Sequence, residues 1–239
     1  MLYLLGSVVC SSYLTLSFKV LQRFEISVFQ AIVFNYLTCV VTGSIVQGNF
    51  PINAASPGLP WFKWALVMGA AFIVLFNLMG FTTQKIGVAV ASVANKLSLI
   101  IPFAFSLYLY NEQAGWTKIL GIIIALVAVF FTCLPPKRDA ALTHKGASSG
   151  LLFLLPVLLF AGSGLLDTLV KYVEQTYLDD SNSNAFLILS FGTAGALGLL
   201  ILIILVGTGK QAFDPRSIVA GILIGIPNYF SIWFLVRVL

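Results

Sequence analysis

Residues 185–207 read AFLILSFGTAGALGLLILIILVG, twenty-three positions without a single charge. As a helix at 1.5 Å per residue this stretch is about 35 Å long, enough to cross a hydrocarbon core of about 30 Å. Moving back by 152 positions overlaps most of it with a second apolar stretch at 27–48, with Phe186 on Phe34 and Gly195 on Gly43. The same shift, without a gap, puts Lys171 on Lys19, Gly221 on Gly69 and Arg237 on Lys85. The matches fall at matching places in successive hydrophobic spans. A duplicated set of membrane helices is the sequence sign of a secondary transporter built from two repeats.

The composition agrees with a membrane-embedded chain. Apolar residues make up 59 % of the 239 positions and charged residues only 9 %, where a soluble domain carries roughly 25 % charge. The formal charge of +5 is no argument for nucleic acid. The basic residues are scattered among loops, and their expected role is topology. Cys10, Cys39 and Cys133 all lie in apolar spans, with no metal-type spacing and no disulfide framework. They read as small core residues. Met1-Leu2-Tyr3 offers no basic leader region, so residues 2–20 read as a retained first helix rather than a signal peptide.

Eight helices are expected, at 2–20, 27–48, 61–83, 87–110, 116–134, 150–173, 185–207 and 216–239, separated by polar or Gly/Pro-rich punctuation. The repeat makes the first three correspond to the last three. Five helices per copy is an odd number, so the second copy enters the membrane from the opposite side. The expected organisation is therefore all-α and polytopic, in two inverted-topology repeats of five helices. Residues 1–134 form the first repeat, 135–149 the linker and 150–239 three helices of the second. On this count the chain is C-terminally incomplete, and two more helices, on the order of 50 residues, are expected after Leu239.

Residues 85–134 carry a resemblance. Ala89, Ala91, Ser92 and Ala94 open the fourth helix with small side chains; Pro102 lies within it, Glu112 at its end and Gly121 in the fifth helix. In this pattern, with its helix count and its repeat, the chain resembles the drug/metabolite transporter superfamily, specifically the EamA-like members with ten helices in two repeats. The resemblance implies a metabolite carrier, usually an exporter, in a cytoplasmic (inner) membrane. It also implies cytoplasmic termini. The basic residues point the other way: Lys19, Arg23, Lys85, Lys137, Arg138, Lys145, Lys210 and Arg216 share one side, against Lys63, Lys118, Lys171 and Arg237. The positive-inside rule then places the N-terminus outside, and both orientations stay open.

Candidate site residues are the polar groups at membrane depth. Lys96 lies about ten residues into the fourth helix, roughly 14 Å deep. A lysine there costs about 2.5–3.5 kcal/mol on insertion scales and needs a carboxylate, carbonyls or water. It suits an anionic or carboxylate-bearing substrate, and its rival reading is a structural lysine paired within the bundle. Ser92 and Asn95 precede it, and Asn77 and Asn228 are amides in the third and eighth helices that need partners or a cavity. Tyr229 and Trp233, beyond Asn228, share one helix face and could line an aromatic wall. Asp167, a carboxylate well inside a span, is placed to pair with Lys171 four residues on, to pair with Lys96, or to carry a coupling proton. Pro102, Pro156 and Pro227 interrupt the fourth, sixth and eighth helices by removing a backbone donor; Pro102 and Pro227 are candidate gating or structural points, with a plain packing kink as the rival reading. Glu112 is a structural or gating residue at the membrane edge, beside Lys118.

An intramembrane enzyme is the rival class. Gly162-Ser163-Gly164 offers a serine, but the lone His144 sits in the polar linker, so no general base accompanies it. No His/Asp/Glu cluster offers metal ligands, and no catalytic residue, metal or cofactor is expected. A non-transporting membrane scaffold is the other alternative. The favoured reading is a carrier for a small metabolite, with amino acids and organic anions as candidates. It exports by alternating access, with the bilayer as its environment and a proton as a candidate coupling ion.

Overall fold

In a computed structural model the described residues are 2–54, 56–109, 115–132, 149–179 and 181–236. They fold into the helices α1 (Leu2–Arg23), α2 (Val28–Gln47), α3 (Phe62–Lys85), α4 (Val88–Leu97), α5 (Ile100–Leu109), α6 (Trp116–Thr132), α7 (Ser149–Tyr177), α8 (Ser183–Gly207) and α9 (Arg216–Val236). By length and composition six stretches can cross a membrane: α2, α3, Val88–Phe105, Leu154–Tyr177, α8 and Arg216–Phe234. Glu112, Cys133, His144, Arg237 and residues 135–148 of the expected linker lie outside the described residues.

The helix ends follow from local chemistry. Ser27 caps α2 by accepting from Gln30 N–H, and Gly48, at φ 80°, closes it in the left-handed conformation with its N–H on Ile45 O. Gly87, at φ 114°, separates α3 from α4. Ahead of α8, the Asp179 carboxylate accepts from Ser181 N at 2.9 Å and Asn182 N at 3.1 Å.

The chain divides into two compact units, residues 1–77 with 172–239, and residues 78–171. The first unit is built on α2 and α8. A Cβ on Gly43 would meet Ile188, one on Gly195 would meet Leu37 and one on Gly198 would meet Val33. Contacts that climb on one helix while descending on the other mean that the two run antiparallel. Because α2 and α8 are related by the 152-residue shift, equivalent helices of the two copies are inverted.

The third helices then exchange partners. α3 lies along α8, with Gly69 against Ser190 O and Thr193 and with Trp61 edge-on to Phe186. α9 lies along α2, with Gly221 against Phe34 and Asn35 and with Gly225 against Thr38. The glycine pair that aligned in the sequence thus performs one task twice, letting each third helix close on the second helix of the other copy. α1 runs antiparallel to α9: Gly6 abuts Phe234, and Ser7 Oγ donates to Ser231 O over 2.9 Å. Between α2, α3 and α8 the core is aromatic, with Tyr36, Phe72 and Phe191 stacked at centroid distances of 5.5–6.4 Å. The buried Tyr36 hydroxyl donates to Phe72 O.

The second unit holds α4, α5, α6 and most of α7, with α4 packed on α6. Here the structure corrects the sequence reading. The expected continuous helix over 87–110 is two ten-residue helices parted at Ser98–Leu99.

Candidate functional site

Pro102 explains that break. Having no N–H, it cannot bond the carbonyl of Ser98 one turn earlier. Ser98 O instead accepts from Ile101 N at 2.9 Å, a tighter three-residue turn, and Ser98 Oγ donates to Asn95 O at 2.6 Å. Gly164 of α7 presses on this turn: a Cβ there would lie 2.8 Å from Ser98 O and 2.4 Å from Ile101 Cδ1. A broken helix at membrane depth is tolerated where neighbouring protein or water meets the freed backbone groups.

Lys96 sits two residues before the break, in the last turn of α4. Its side chain is exposed, while Ser92 and Asn95 are half-buried on the same helix. From α7, the half-buried Asp167 interacts electrostatically with Lys96. Lys96 is thus one of the partners the sequence left open to Asp167, and Lys171, four residues on, also makes an interaction. The second unit thus gathers Ser92, Asn95, Lys96, Pro102 and Asp167 about one interrupted helix.

The first unit holds a different polar set, buried at Asn35, Cys39 and Asn228 and half-buried at Gln47 and Asn184. Asn35, Cys39, Gly43 and Gln47 recur every four residues on one face of α2. Asn35 Oδ1 accepts from Asn228 Nδ2 at 3.1 Å, and Cys39 Sγ donates to Gly225 O at 3.2 Å. Asn184 of α8 donates to Gln47 Oε1 at 2.6 Å and to Gly43 O at 3.3 Å, and accepts from the Tyr229 hydroxyl. The ladder joins α2, α8 and α9. One donor in it, Asn35 Nδ2, is buried without a partner.

The remaining candidates are placed as follows. Asn77 donates to Ile73 O of its own helix at 2.7 Å. Tyr229 is fully buried, against Phe191 and Phe230, whereas Trp233 meets Tyr3, Phe230 and Phe234. Pro227 lies inside α9, which continues past it. Among the described residues, no group of three His, Cys, Asp or Glu could hold a metal ion.

Sequence reasoning passed over Asn35, Asn184 and Gln30. Gln30 is wholly buried at the start of α2 and bridges to the loop before α9. Its Nε2 donates to Ala212 O at 2.7 Å and its Oε1 accepts from Asp214 N at 2.9 Å. The four-residue spacing on α2 was the available signal for Asn35; for Asn184 and Gln30 the sequence offered none.

Comparison with known proteins accords with this architecture. No solved structure matches the chain. Over 244 aligned residues it is 25 % identical to an uncharacterized protein of Haemophilus influenzae, covering 98 % of this chain and 78 % of that protein. The family model for EamA-like transporters matches residues 1–134. The chain therefore belongs to the EamA-like transporter family, within the drug/metabolite transporter superfamily, and is a multi-pass membrane protein.

Proposed function

We propose that the protein is a secondary transporter that carries a small anionic or zwitterionic metabolite, an organic acid or an amino acid, out across the cytoplasmic membrane by alternating access. The observation that carries the substrate class is the interrupted helix. It presents the Lys96 ammonium at the end of α4, while α5 begins afresh at Ile100 with the positive end of its helix dipole at the break. Discontinuous membrane helices serve transporters in this way, their half-helix N-termini favouring anionic groups on the substrate. Asn95 and Ser92 supply neutral hydrogen-bonding groups on α4. Asp167, interacting with Lys96 across the unit, is the group proposed to bind or release a coupling proton as substrate engages the lysine. Exchange of helices between inverted copies supports the alternating-access part of the reading, since inverted repeats supply two related arrangements of one scaffold.

Thermal unfolding of the purified protein with amino acids, organic acids, sugars, nucleosides and lipophilic cations tests this. An organic acid or amino acid should raise the unfolding temperature of the wild type and leave Lys96→Met unmoved. Stabilisation by cations alone, or equal shifts in both proteins, would refute the assignment.

A further inference from the structure

The first unit is fastened at its two ends by corners of different chemistry. At one end the α1–α2 turn meets the loop between α8 and α9. Gln30, wholly buried at the start of α2, donates to Ala212 O at 2.7 Å and accepts from Asp214 N at 2.9 Å. Gln211 Nε2 donates to Ser27 Oγ at 2.7 Å, and Arg216 Nη1 donates to Phe24 O at 3.4 Å. These four hydrogen bonds clasp segments 182–192 positions apart in the chain. Arg23, Glu25 and Lys210 are exposed in the same two segments, so water reaches this corner.

The repeat builds the corresponding corner at the opposite end of the antiparallel helices. The 152-residue shift sends Ser27 to Asp179, Gln30 to Asn182, Gln211 to Leu59 and Arg216 to Trp64. There Asp179 and Asn182 bond within their own turn. The Asp179 carboxylate accepts from Ser181 N and Asn182 N, and the Asn182 side chain donates to Tyr177 O. The contact with α3 is aromatic instead. Trp61 stands edge-on to Phe186, and Trp64 packs against Tyr172 and Tyr177 at centroid distances of 5.5 and 6.4 Å.

The two corners respond differently to being opened. An amide that leaves a protein partner takes up a hydrogen bond to water, so the net loss is small. Aromatic rings that part expose apolar surface, with a loss that grows with the area uncovered. We propose that the Gln30 clasp is a releasable gate, which opens to water at the α1–α2 end more readily than the aromatic corner opens at the other. This rests on the alternating-access reading, in which each face opens in turn. The asymmetry then makes the two related arrangements of the repeats unequal in energy.

Ser217 and Ala65 allow a direct test. They are equivalent under the shift, lie in the first turns of α9 and α3, next to the two corners, and are both wholly buried. Ser217→Cys and Ala65→Cys would each be introduced into the full chain and treated with a maleimide in detergent. The rate is read by mass spectrometry of the peptide that carries the new thiol, so the native cysteines do not interfere. Ser217→Cys should react faster than Ala65→Cys by on the order of tenfold or more. Gln30→Met keeps the length of the side chain and removes two of the four clasp bonds. At roughly fivefold per bond, it should speed Ser217→Cys by about 25-fold and leave Ala65→Cys unchanged. Equal rates at the two sites, or a faster Ala65→Cys, would overturn the proposal. So would a Gln30→Met effect that is absent or is shared by both sites, the latter marking a loosening of the whole unit. Should either cysteine variant fail to fold, hydrogen exchange of the unsubstituted chain decides. The Ser217 and Ala65 amides are bonded alike, to Asp214 O at 3.0 Å and Trp61 O at 3.1 Å. The Ser217 amide should exchange the faster, and parity or the reverse order would overturn the gate. No solute enters either measurement, so the result stands apart from the thermal response of Lys96→Met, which tests the transport reading.

Discussion

Asn228 of α9 donates its side-chain amide to Asn35 Oδ1 of α2 over 3.1 Å, and this bond has no counterpart across the repeat. The 152-residue shift places Leu187 where Asn35 stands and Phe76 where Asn228 stands; Cys39 falls on Phe191. One exchanged contact, α2 with α9, is therefore fastened by directional hydrogen bonds. Its partner, α8 with α3, is apolar and aromatic, as in the stacked rings of Phe72 and Phe191. Replacing either asparagine singly by leucine leaves a buried amide unpaired, at about 1–3 kcal/mol. Replacing both removes the polar groups together. In a double-mutant cycle of unfolding free energies in detergent, the double variant should lose less than the sum of the singles. The coupling should be on the order of 0.6–1.7 kcal/mol, the scale found for hydrogen bonds between membrane helices. Strict additivity would mean that the amides do not interact.

Gly69 and Gly221 should be intolerant of a methyl group for the same reason. A Cβ on Gly69 would lie 2.4 Å from Ser190 O, and one on Gly221 would lie 2.3 Å from Phe34 Cβ and 2.9 Å from Asn35 N. Backbone cannot yield as a flexible side chain does, so alanine at either position must push the helices apart. About 1–3 kcal/mol should be lost at each, the usual result of overpacking. Gly192 has only Val40 Cγ2 at 3.7 Å, and Gly192→Ala should change stability by less than about 0.5 kcal/mol. Unfolding measurements on the three variants side by side check the ranking.

The loop before α9 should loosen in acid. The Asp214 carboxyl is held below the usual carboxylate range, chiefly by its hydrogen bonds with the Arg216 side chain. A depressed carboxyl binds fewer protons in the folded state than in the unfolded one. Its contribution is therefore complete above the ordinary aspartate value of about 3.9 and is lost as the pH falls through the lower folded value. Asp214→Asn should unfold more readily than the wild type at neutral pH and match it in strong acid. The carboxylate is solvent-exposed, so the gap should be small and should shrink in salt. A gap that persisted at low pH would assign the effect to the backbone turn instead.

What the sequence made legible, and what it did not, divides along physical lines. The inverted repeat could be read because glycines at helix crossings permit so few substitutes that Gly69 and Gly221, or Gly43 and Gly195, still mark equivalent positions. Spans could be read because charge is expelled from lipid. Polar partnerships could not. Asn228 announced a need for a partner, but whether that partner was substrate, water or Asn35 depended on how α9 crosses α2. The Asp167 interaction was likewise undecided, since Lys171 satisfies the helical spacing and Lys96 only the tertiary fold. Pro102 signalled a disturbed helix. Its size, a full break at Ser98–Leu99, depends also on Gly164, which lies 62 positions away in the chain.

That last dependence yields a prediction of its own. Pro102 withholds the donor that would continue the helix, and Gly164 leaves room for the turn that results. Pro102→Ala restores the N–H for Ser98 O and should favour an unbroken α4–α5. Gly164→Val should instead crowd Ser98 O and Ile101. If the break sets the position of Lys96 and the start of α5, both variants should weaken the thermal response to an anionic solute. They should differ in the absence of solute: Pro102→Ala should keep or raise the unfolding temperature, and Gly164→Val should lower it by the equivalent of about 1–3 kcal/mol. A Pro102→Ala protein of wild-type stability and undiminished ligand response would show that recognition does not depend on the interrupted helix.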